Sequence, residues 1–177
     1  MRDAAYAIVA LVALQRLFEV IYAGRNTRRL LARGATEAGR GHYPLIVTLH
    51  AAWLAAIVLL LPQQPSISWP LIAAMVVLQL LRAWVIATLG PFWTTRIVTL
   101  PGAALVHAGP YRFVRHPNYL IVVAEILVLP LAFGEVAVAL VFTALNALIL
   151  AWRIRAEDRA LDSRRGLADT GVESAKG

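Results

Sequence analysis

This 177-residue chain contains no cysteine, a single lysine and few charged residues of either sign. Without cysteine it can form neither a disulfide framework nor a metal site built on thiolates. Charged residues make up 15% of the chain, whereas a soluble domain carries about 25%. This composition disfavours a water-soluble globular protein.

Hydrophobic residues, by contrast, account for 60% of the chain and lie in long runs. A helix needs about 20 mostly apolar residues to cross a bilayer. Five segments approach that length, at 4–23, 43–61, 69–89, 119–133 and 136–152. The sequence therefore predicts a single all-α integral membrane domain, 1–177, with about five transmembrane helices. Since only Gly134 and Glu135 separate the last two segments, these are predicted to form a helical hairpin.

The basic residues predict the topology. The net charge is +7, and fourteen of the seventeen basic residues lie in the gaps 24–42 and 90–118 and in the tail 153–177. Under the positive-inside rule these segments face the cytosol and the amino terminus lies outside, as in a multi-pass protein of a bacterial inner or plasma membrane. Because the charge follows topology and no groove-reading motif accompanies it, nucleic acid is not an expected partner.

Several polar residues interrupt the apolar segments, and such residues are costly inside a bilayer. They are Arg16, Glu19, Arg82, Glu125 and Asn146. At 1.5 Å per helical residue they share one layer about 10 Å below the cytosolic ends of their spans. One interpretation is that the charges pair and hold the helices together. The other is that Arg16, Glu19, Arg82 and Asn146 bind the polar head of a lipophilic substrate.

The densest polar stretch, 105–119, precedes the fourth segment. Gly109-Pro110 turns the chain there, and His116-Pro117 interrupts helical structure just before the span. Donors and aromatic rings lie between and beyond these turns, at Tyr111, Arg112, Arg115, His116, Asn118 and Tyr119. Such a cytosolic loop before the hairpin is suited to binding a polar cofactor at the membrane surface.

The stretch Gly109-Pro-Tyr-Arg-Phe-Val-Arg-His-Pro-Asn-Tyr119, with a hairpin and then Arg153-Ile-Arg-Ala-Glu157-Asp158 after it, resembles the isoprenylcysteine carboxyl methyltransferase family and its phospholipid-methyltransferase relatives. The resemblance covers residues 88–161. It implies an integral membrane methyltransferase that uses S-adenosylmethionine without a Rossmann fold. On this interpretation 1–87 is a three-span amino-terminal part, 88–161 binds the cofactor, and 162–177 is a flexible cytosolic tail.

The resemblance also implies roles for individual residues. The residues expected to bind the cofactor are Ala103, Ala104, Leu105, Val106, Tyr111, His116, Pro117, Asn118, Tyr119 and Glu157. Arg153 takes the position of a substrate-side arginine near the reacting centre. Because Arg153 and Glu157 are four residues apart on one helix, they are also expected to pair when the site is empty.

The acceptor is predicted to be a lipophilic small molecule, of one of two types. It is either a prenylcysteine-type carboxylate or a long-chain phenolic lipid such as an alkylresorcinol or alkylpyrone, because Trp93-Thr-Thr-Arg-Ile97 resembles bacterial family members found with type III polyketide synthases. A phenol must lose its proton, and Glu125 is the candidate base. A carboxylate needs no base, and Arg153 alone could orient it. His50, among apolar neighbours, is expected to be a hydrogen-bonded core histidine.

Two alternatives to an O-methyltransferase stay open from the sequence. One is a phospholipid amine N-methyltransferase, which the arginine-rich site would disfavour because its substrate is cationic. The other is a small non-catalytic membrane scaffold or transporter, which would also account for buried charges. No metal is predicted, since the four histidines lack ligand-like spacing. Membrane lipids are the expected surroundings, and the sequence leaves the oligomeric state undetermined.

Overall fold

Five α-helices make up most of the described part of the chain, and the predicted all-α membrane class is confirmed. The computed structural model describes residues 1–38, 41, 43–104 and 106–173, and side chains up to Glu157. The helices are α1 Arg2–Ala32, α2 Tyr43–Leu60, α3 Trp69–Leu89, α4 Pro117–Leu131 and α5 Val136–Glu173. Within the described residues, four helices are long and apolar enough to cross a membrane, and α4, at 15 residues, is shorter.

Two helices extend beyond their predicted spans. α1 continues past Ala23 to Ala32, because Asn26 in this extension donates to the carbonyl oxygens of Gly90 (3.1 Å) and Trp93 (3.0 Å) and is buried there. α5 continues past Trp152 to Glu173, through the segment where the sequence predicts a flexible tail. The division into parts 1–87, 88–161 and 162–177 stays a prediction.

α4 lies at the centre of the bundle, between α3 and α5. It begins with Pro117 in its first turn, where the missing N–H costs no hydrogen bond. It ends at a hairpin in which Gly134 adopts a φ of +81°, and the N–H of Glu135 returns to the carbonyl oxygen of Pro130 at 2.9 Å. The predicted hairpin of α4 and α5 therefore forms.

A small β-sheet, which the sequence did not predict, joins two loops at one end of the bundle. β1 (Thr36–Ala38) pairs antiparallel with β2 (Ile97–Thr99), with Glu37 opposite Val98. Arg96 adds an ion pair to Glu37 at 3.2 Å. The sheet ties the α1–α2 loop to the α3–α4 loop, so the predicted cofactor loop has a fixed border.

The two ends of the bundle hold the segments that the charge pattern assigns to opposite sides. At one end Arg2 donates to Gln63 (2.8 Å), and the N–H of Ser68 donates to the carbonyl oxygen of Ala132 (2.9 Å). The sheet and the loop 90–116 lie at the other end. Many large apolar side chains on the outer faces are exposed, including Phe18 (78%) and Leu59 (80%). Such surfaces suit hydrocarbon, in keeping with a multi-pass membrane protein.

Candidate active site

A buried cluster of four charged side chains connects three helices. It consists of Arg16 and Glu19 of α1, Arg82 of α3 and Glu125 of α4. Arg82 donates hydrogen bonds to the Glu19 carboxylate from Nε (2.7 and 2.9 Å) and from Nη2 (2.7 Å). Its Nη1 lies 3.4 Å from Oε2 of Glu125. Arg16 binds both carboxylates, at 3.0 Å in the case of Glu19. The two positive and two negative charges balance, which makes burial of the whole cluster tolerable.

Neutral polar side chains extend this four-charge cluster on both sides. Gln15 donates to Glu19 at 3.0 Å and to Gln79 at 2.7 Å. On the opposite side Nη1 of Arg82 donates to Oδ1 of Asn118 at 3.2 Å. Asn118 lies in the first turn of α4, directly after the predicted cofactor loop, so the cluster is linked to that loop.

A cavity of about 400 Å³ opens beside the cluster. We call it the bundle cavity. Most of its wall is apolar, from Leu17, Val20, Ile46, Val47, Ala51, Leu54, Val122, Ile149 and Leu150. Its polar side includes Arg16, Glu19, Tyr43, His50, Arg82, Asn146 and Arg153. An apolar pocket with a few converging polar groups is typical of a small-molecule site.

A second cavity, of about 240 Å³, lies under the α3–α4 loop, and we call it the loop cavity. Its wall includes residues of β2, of the loop, and of the middle of α5. Polar members of the wall include Thr99, His107, Tyr111, Arg115, His116 and Glu157, and apolar members include Leu30, Leu100, Ala104 and Val106. Burial and the nearby Glu157 carboxylate raise the pKa of the Tyr111 phenol, so this ring stays uncharged.

The two cavities share a wall. Trp93, Thr94, Asn118, Tyr119 and Arg153 line both of them. A molecule in the loop cavity and another in the bundle cavity would therefore meet at these five residues. Arg153 is 9% exposed and Tyr119 is 9% exposed, so bulk water has little access to the meeting point.

Tyr119 organises this wall. Its hydroxyl accepts a hydrogen bond from Nε of Arg153 at 2.8 Å and donates one to the Glu157 carboxylate. His116 stacks on the Tyr119 ring with centroids 5.2 Å apart, and its Nδ1 lies 3.9 Å from the Glu157 carboxylate. Arg153 and Glu157 were expected to pair directly; instead the Tyr119 hydroxyl stands between them, because α4 packs against this face of α5.

Most residues assigned to the cofactor from the sequence line the loop cavity. They are Ala104, Val106, Tyr111, His116, Asn118, Tyr119 and Glu157. Ala103 and Pro117 flank the cavity without lining it, and Leu105 lies outside the described residues. These roles stay predictions, but the seven side chains do meet at one site.

The predicted substrate residues Arg16, Glu19, Arg82 and Asn146 all line the bundle cavity, together with Arg153. Glu125, the predicted base, lines neither cavity: it is 1% exposed, and its Oε2 is engaged by Arg16 and Arg82. Its position behind the arginines speaks against direct proton transfer from a substrate.

Sequence reasoning missed two residues of the site. Trp93 is 3% exposed, lines both cavities, and lies under the Arg82 guanidinium at 5.8 Å from the ring centroid. Trp93 begins the stretch Trp93–Ile97, and the resemblance of that stretch to bacterial family members was the available signal that Trp93 belongs to the site. His50 was expected in the core but lines the bundle cavity. No local pattern shows this, because the neighbours of His50 along α2 are mostly apolar on every side of the helix.

Comparison with known proteins finds a family model and two relatives that match this chain. Residues 71–163 match the model of the isoprenylcysteine carboxyl methyltransferase (ICMT) family. The chain is 41% identical over 160 residues to the uncharacterized protein YpbQ of Bacillus subtilis (strain 168), covering 88% of this chain and 95% of the relative. An uncharacterized protein of Haemophilus influenzae (strain ATCC 51907 / DSM 11121 / KW20 / Rd) is 28% identical over 151 residues, covering 82% and 88%. No solved structure matches.

Proposed function

The chain belongs to the isoprenylcysteine carboxyl methyltransferase family, a membership that indicates a membrane methyltransferase, and from this premise we propose a specific reaction. The protein is an S-adenosylmethionine-dependent O-methyltransferase whose acceptor is a lipophilic molecule dissolved in the membrane. The acceptor is a prenylcysteine-type carboxylate or a long-chain phenolic lipid. The loop cavity faces the cytosol, as the distribution of arginines predicts.

The two cavities with a common wall carry this proposal. One is bordered by polar loop residues and the other by apolar helix faces, and they meet at Trp93, Thr94, Asn118, Tyr119 and Arg153. Transfer between a water-soluble donor and a membrane-dissolved acceptor requires such a pair of sites. It also requires alignment of the reacting atoms and exclusion of water more than covalent catalysis.

The side chains of the loop cavity fit the donor. Arg115 supplies a cation for a carboxylate, and Glu157 supplies an acceptor for amino or ribose groups. The rings of Tyr111 and His116 offer flat surfaces for a purine. Trp93 adds a buried indole N–H without a hydrogen-bond partner among the described residues. When bound, S-adenosylmethionine supplies a methyl group made electrophilic by a sulfonium.

On the acceptor side the chain supplies positive charge and a dry wall. Arg153 faces the bundle cavity at the common wall and orients an anionic oxygen there. The amide nitrogen of Asn146 is buried without a partner among the described residues and can donate to the same head group. The aliphatic wall accommodates the hydrocarbon chain. Three guanidinium groups, those of Arg16, Arg82 and Arg153, disfavour the cationic amine of a phospholipid N-methyl acceptor.

The test uses the purified full chain in detergent micelles. We expect calorimetry to detect S-adenosylmethionine binding, and labelled cofactor to transfer methyl groups to pentadecylresorcinol or to N-acetyl-S-farnesylcysteine but not to phosphatidylethanolamine. Methylation of phosphatidylethanolamine alone would establish the N-methyl alternative. Neither binding nor transfer to any of the three would refute the proposal and favour a scaffold or transporter.

A matched pair of variants tests the assignment of the loop cavity. Glu157→Gln removes the carboxylate at the cavity and is expected to weaken cofactor binding at least about tenfold, since a charge-assisted hydrogen bond contributes roughly 1.5–3 kcal/mol. Glu135→Gln makes the same chemical change in the α4–α5 turn, which lies 22 residues before Glu157 and therefore about 33 Å away along α5 at 1.5 Å per residue. It should bind the cofactor as the parent does. Equal affinities for both variants would contradict the assignment.

A further inference from the structure

We propose that His50 is the general base of this enzyme, and that the acceptor is therefore a weakly acidic hydroxyl compound, such as a phenol or enol bearing a hydrocarbon chain. This inference rests on the proposed methyltransferase function and deepens it. A carboxylate acceptor is already ionised and would have no use for a base in this position.

The hydrogen bonding of His50 determines which ring nitrogen is available. Nδ1 lies 2.8 Å from the carbonyl oxygen of Ile46. Because a carbonyl oxygen can only accept, Nδ1 carries the hydrogen and Nε2 of the neutral ring carries the lone pair. The ring is held further by an edge contact with Trp53, at 6.4 Å and 80°, and Trp53 itself is 1% exposed. A ring fixed in this way presents one basic nitrogen.

The other ionisable groups around the bundle cavity are guanidinium groups, phenols and an ion-paired carboxylate. The charged residues of the wall are Arg16 and Glu19 from α1, Arg82 from α3 and Arg153 from α5, and its phenols are Tyr43 and Tyr119. Guanidinium groups have no acceptor. Glu19 is occupied by Arg82 and Arg16. Glu125 lies behind these arginines and outside the cavity. Within the described part of the wall, His50 is the one base outside an ion pair.

Positive charge on the same wall favours the ionised form of the acceptor oxygen. The acceptor oxygen gives its proton to Nε2 of His50, forms the new O–C bond to the methyl carbon, and the electron pair of the broken C–S bond stays on sulfur. The imidazolium afterwards loses its proton to water. Arg153 and Arg82, on the same cavity wall, stabilise negative charge on the oxygen before it reacts.

The decisive variant is His50→Asn, because the asparagine amide can still donate to the Ile46 carbonyl oxygen but offers no basic nitrogen. His50→Gln serves as a second variant if the first is poorly folded. Thr48→Val, on the exposed face of α2 two residues away, is the matched control. Rates are measured with pentadecylresorcinol and with N-acetyl-S-farnesylcysteine.

We expect His50→Asn to lower the rate of pentadecylresorcinol methylation by at least about 100-fold, the usual contribution of a general base. The ratio of this rate to the rate with N-acetyl-S-farnesylcysteine should fall by a similar factor. Thr48→Val should match the parent. A His50→Asn enzyme within threefold of the parent on the phenol overturns the base assignment while leaving the methyltransferase intact. So does a parent enzyme that methylates the farnesylcysteine alone.

A measurement without cofactor separates this inference from the proposed function. A para-nitrophenol with a long alkyl chain changes its absorption when it ionises. Bound to the parent protein it should ionise at a lower pH than when bound to His50→Asn, whether or not methyl transfer occurs. Identical ionisation curves for the two proteins would overturn the assignment of His50, even if the enzyme proves to be a methyltransferase.

Discussion

Replacing Arg82 with methionine should destabilise the protein far more than removing an exposed arginine. The Arg82 guanidinium makes three contacts of 2.7–2.9 Å with Glu19, one of 3.2 Å with Asn118 and one of 3.4 Å with Glu125. Its side chain is 7% exposed. Without it, two buried carboxylates share the single positive charge of Arg16, and the cluster carries an unbalanced negative charge.

The magnitude follows from this imbalance. Breaking a buried ion pair by removing one partner costs about 3–5 kcal/mol, because an uncompensated charge stays in a medium of low dielectric constant. The control is Arg96→Met. The Arg96 side chain is 43% exposed and pairs with Glu37 at 3.2 Å, a type of pair that contributes about 0–1 kcal/mol.

The assay is reversible unfolding in mixed micelles, with the double variant Arg82→Met/Glu19→Gln completing a cycle. The double variant removes one charge of each sign and restores neutrality. We therefore expect it to cost at least about 2 kcal/mol less than the sum of the two single variants, as interacting residues do. The reasoning is refuted if the single costs add within about 0.5 kcal/mol, the scatter of independent sites. It is refuted equally if Arg82→Met costs no more than Arg96→Met.

Three other variants test separate parts of the structure. Tyr119→Phe removes the hydroxyl that joins Arg153 to Glu157. It should weaken S-adenosylmethionine binding or turnover by roughly 10- to 100-fold, since the hydrogen bond to buried Arg153 is worth about 1.5–3 kcal/mol. Calorimetry and initial rates measure this effect, and unchanged values of both would contradict it. Burial raises the pKa of Glu135 from 4.5 to about 7, so the folded state binds the proton more tightly and the free energy of unfolding should fall as pH rises from about 4.5 to 7. In Glu135→Gln this fall in the free energy of unfolding should be absent from melting curves recorded across that pH range. A pH dependence equal to that of the parent would contradict the assignment of the fall to Glu135. Gly109→Ala should destabilise the loop by at least about 1 kcal/mol, because Gly109 has a φ of +54° and a new Cβ would lie 2.5 Å from Oγ1 of Thr88. In Gly24→Ala nothing lies within 4 Å of the new Cβ, so melting should show no loss of stability. Equal losses of stability in the two variants would contradict the geometry described for the loop at Gly109.

Much of the fold could be read from hydropathy alone. The start and end of α3 were predicted at Trp69 and Leu89, and the hairpin at Gly134 forms as expected. The extension of α1 to Ala32 could not be predicted, because Asn26 is stabilised by carbonyl oxygens of Gly90 and Trp93, more than sixty residues away. Such partners leave no periodic signal beside the residue they hold.

The candidate site was predictable only where its residues lie close together in the sequence. The motifs that resemble the methyltransferase family are local, so the resemblance could assign Tyr111, His116 and Glu157 to one site, and all three line the loop cavity. The role of Tyr119 as a link between Arg153 and Glu157 was not local. It depends on how α4 packs against α5.

The sequence by itself determined that this is a helical membrane protein with a layer of ionisable residues and a polar loop before its hairpin, because apolar runs, turn residues and charge placement are properties of adjacent residues. Only the tertiary structure decided which of those ionisable residues reach a cavity. It placed Glu125 behind two arginines and His50 on the cavity wall. A membrane helix is apolar on nearly every face, so its hydropathy does not specify its rotation about its own axis, and that rotation is set by packing against the other helices.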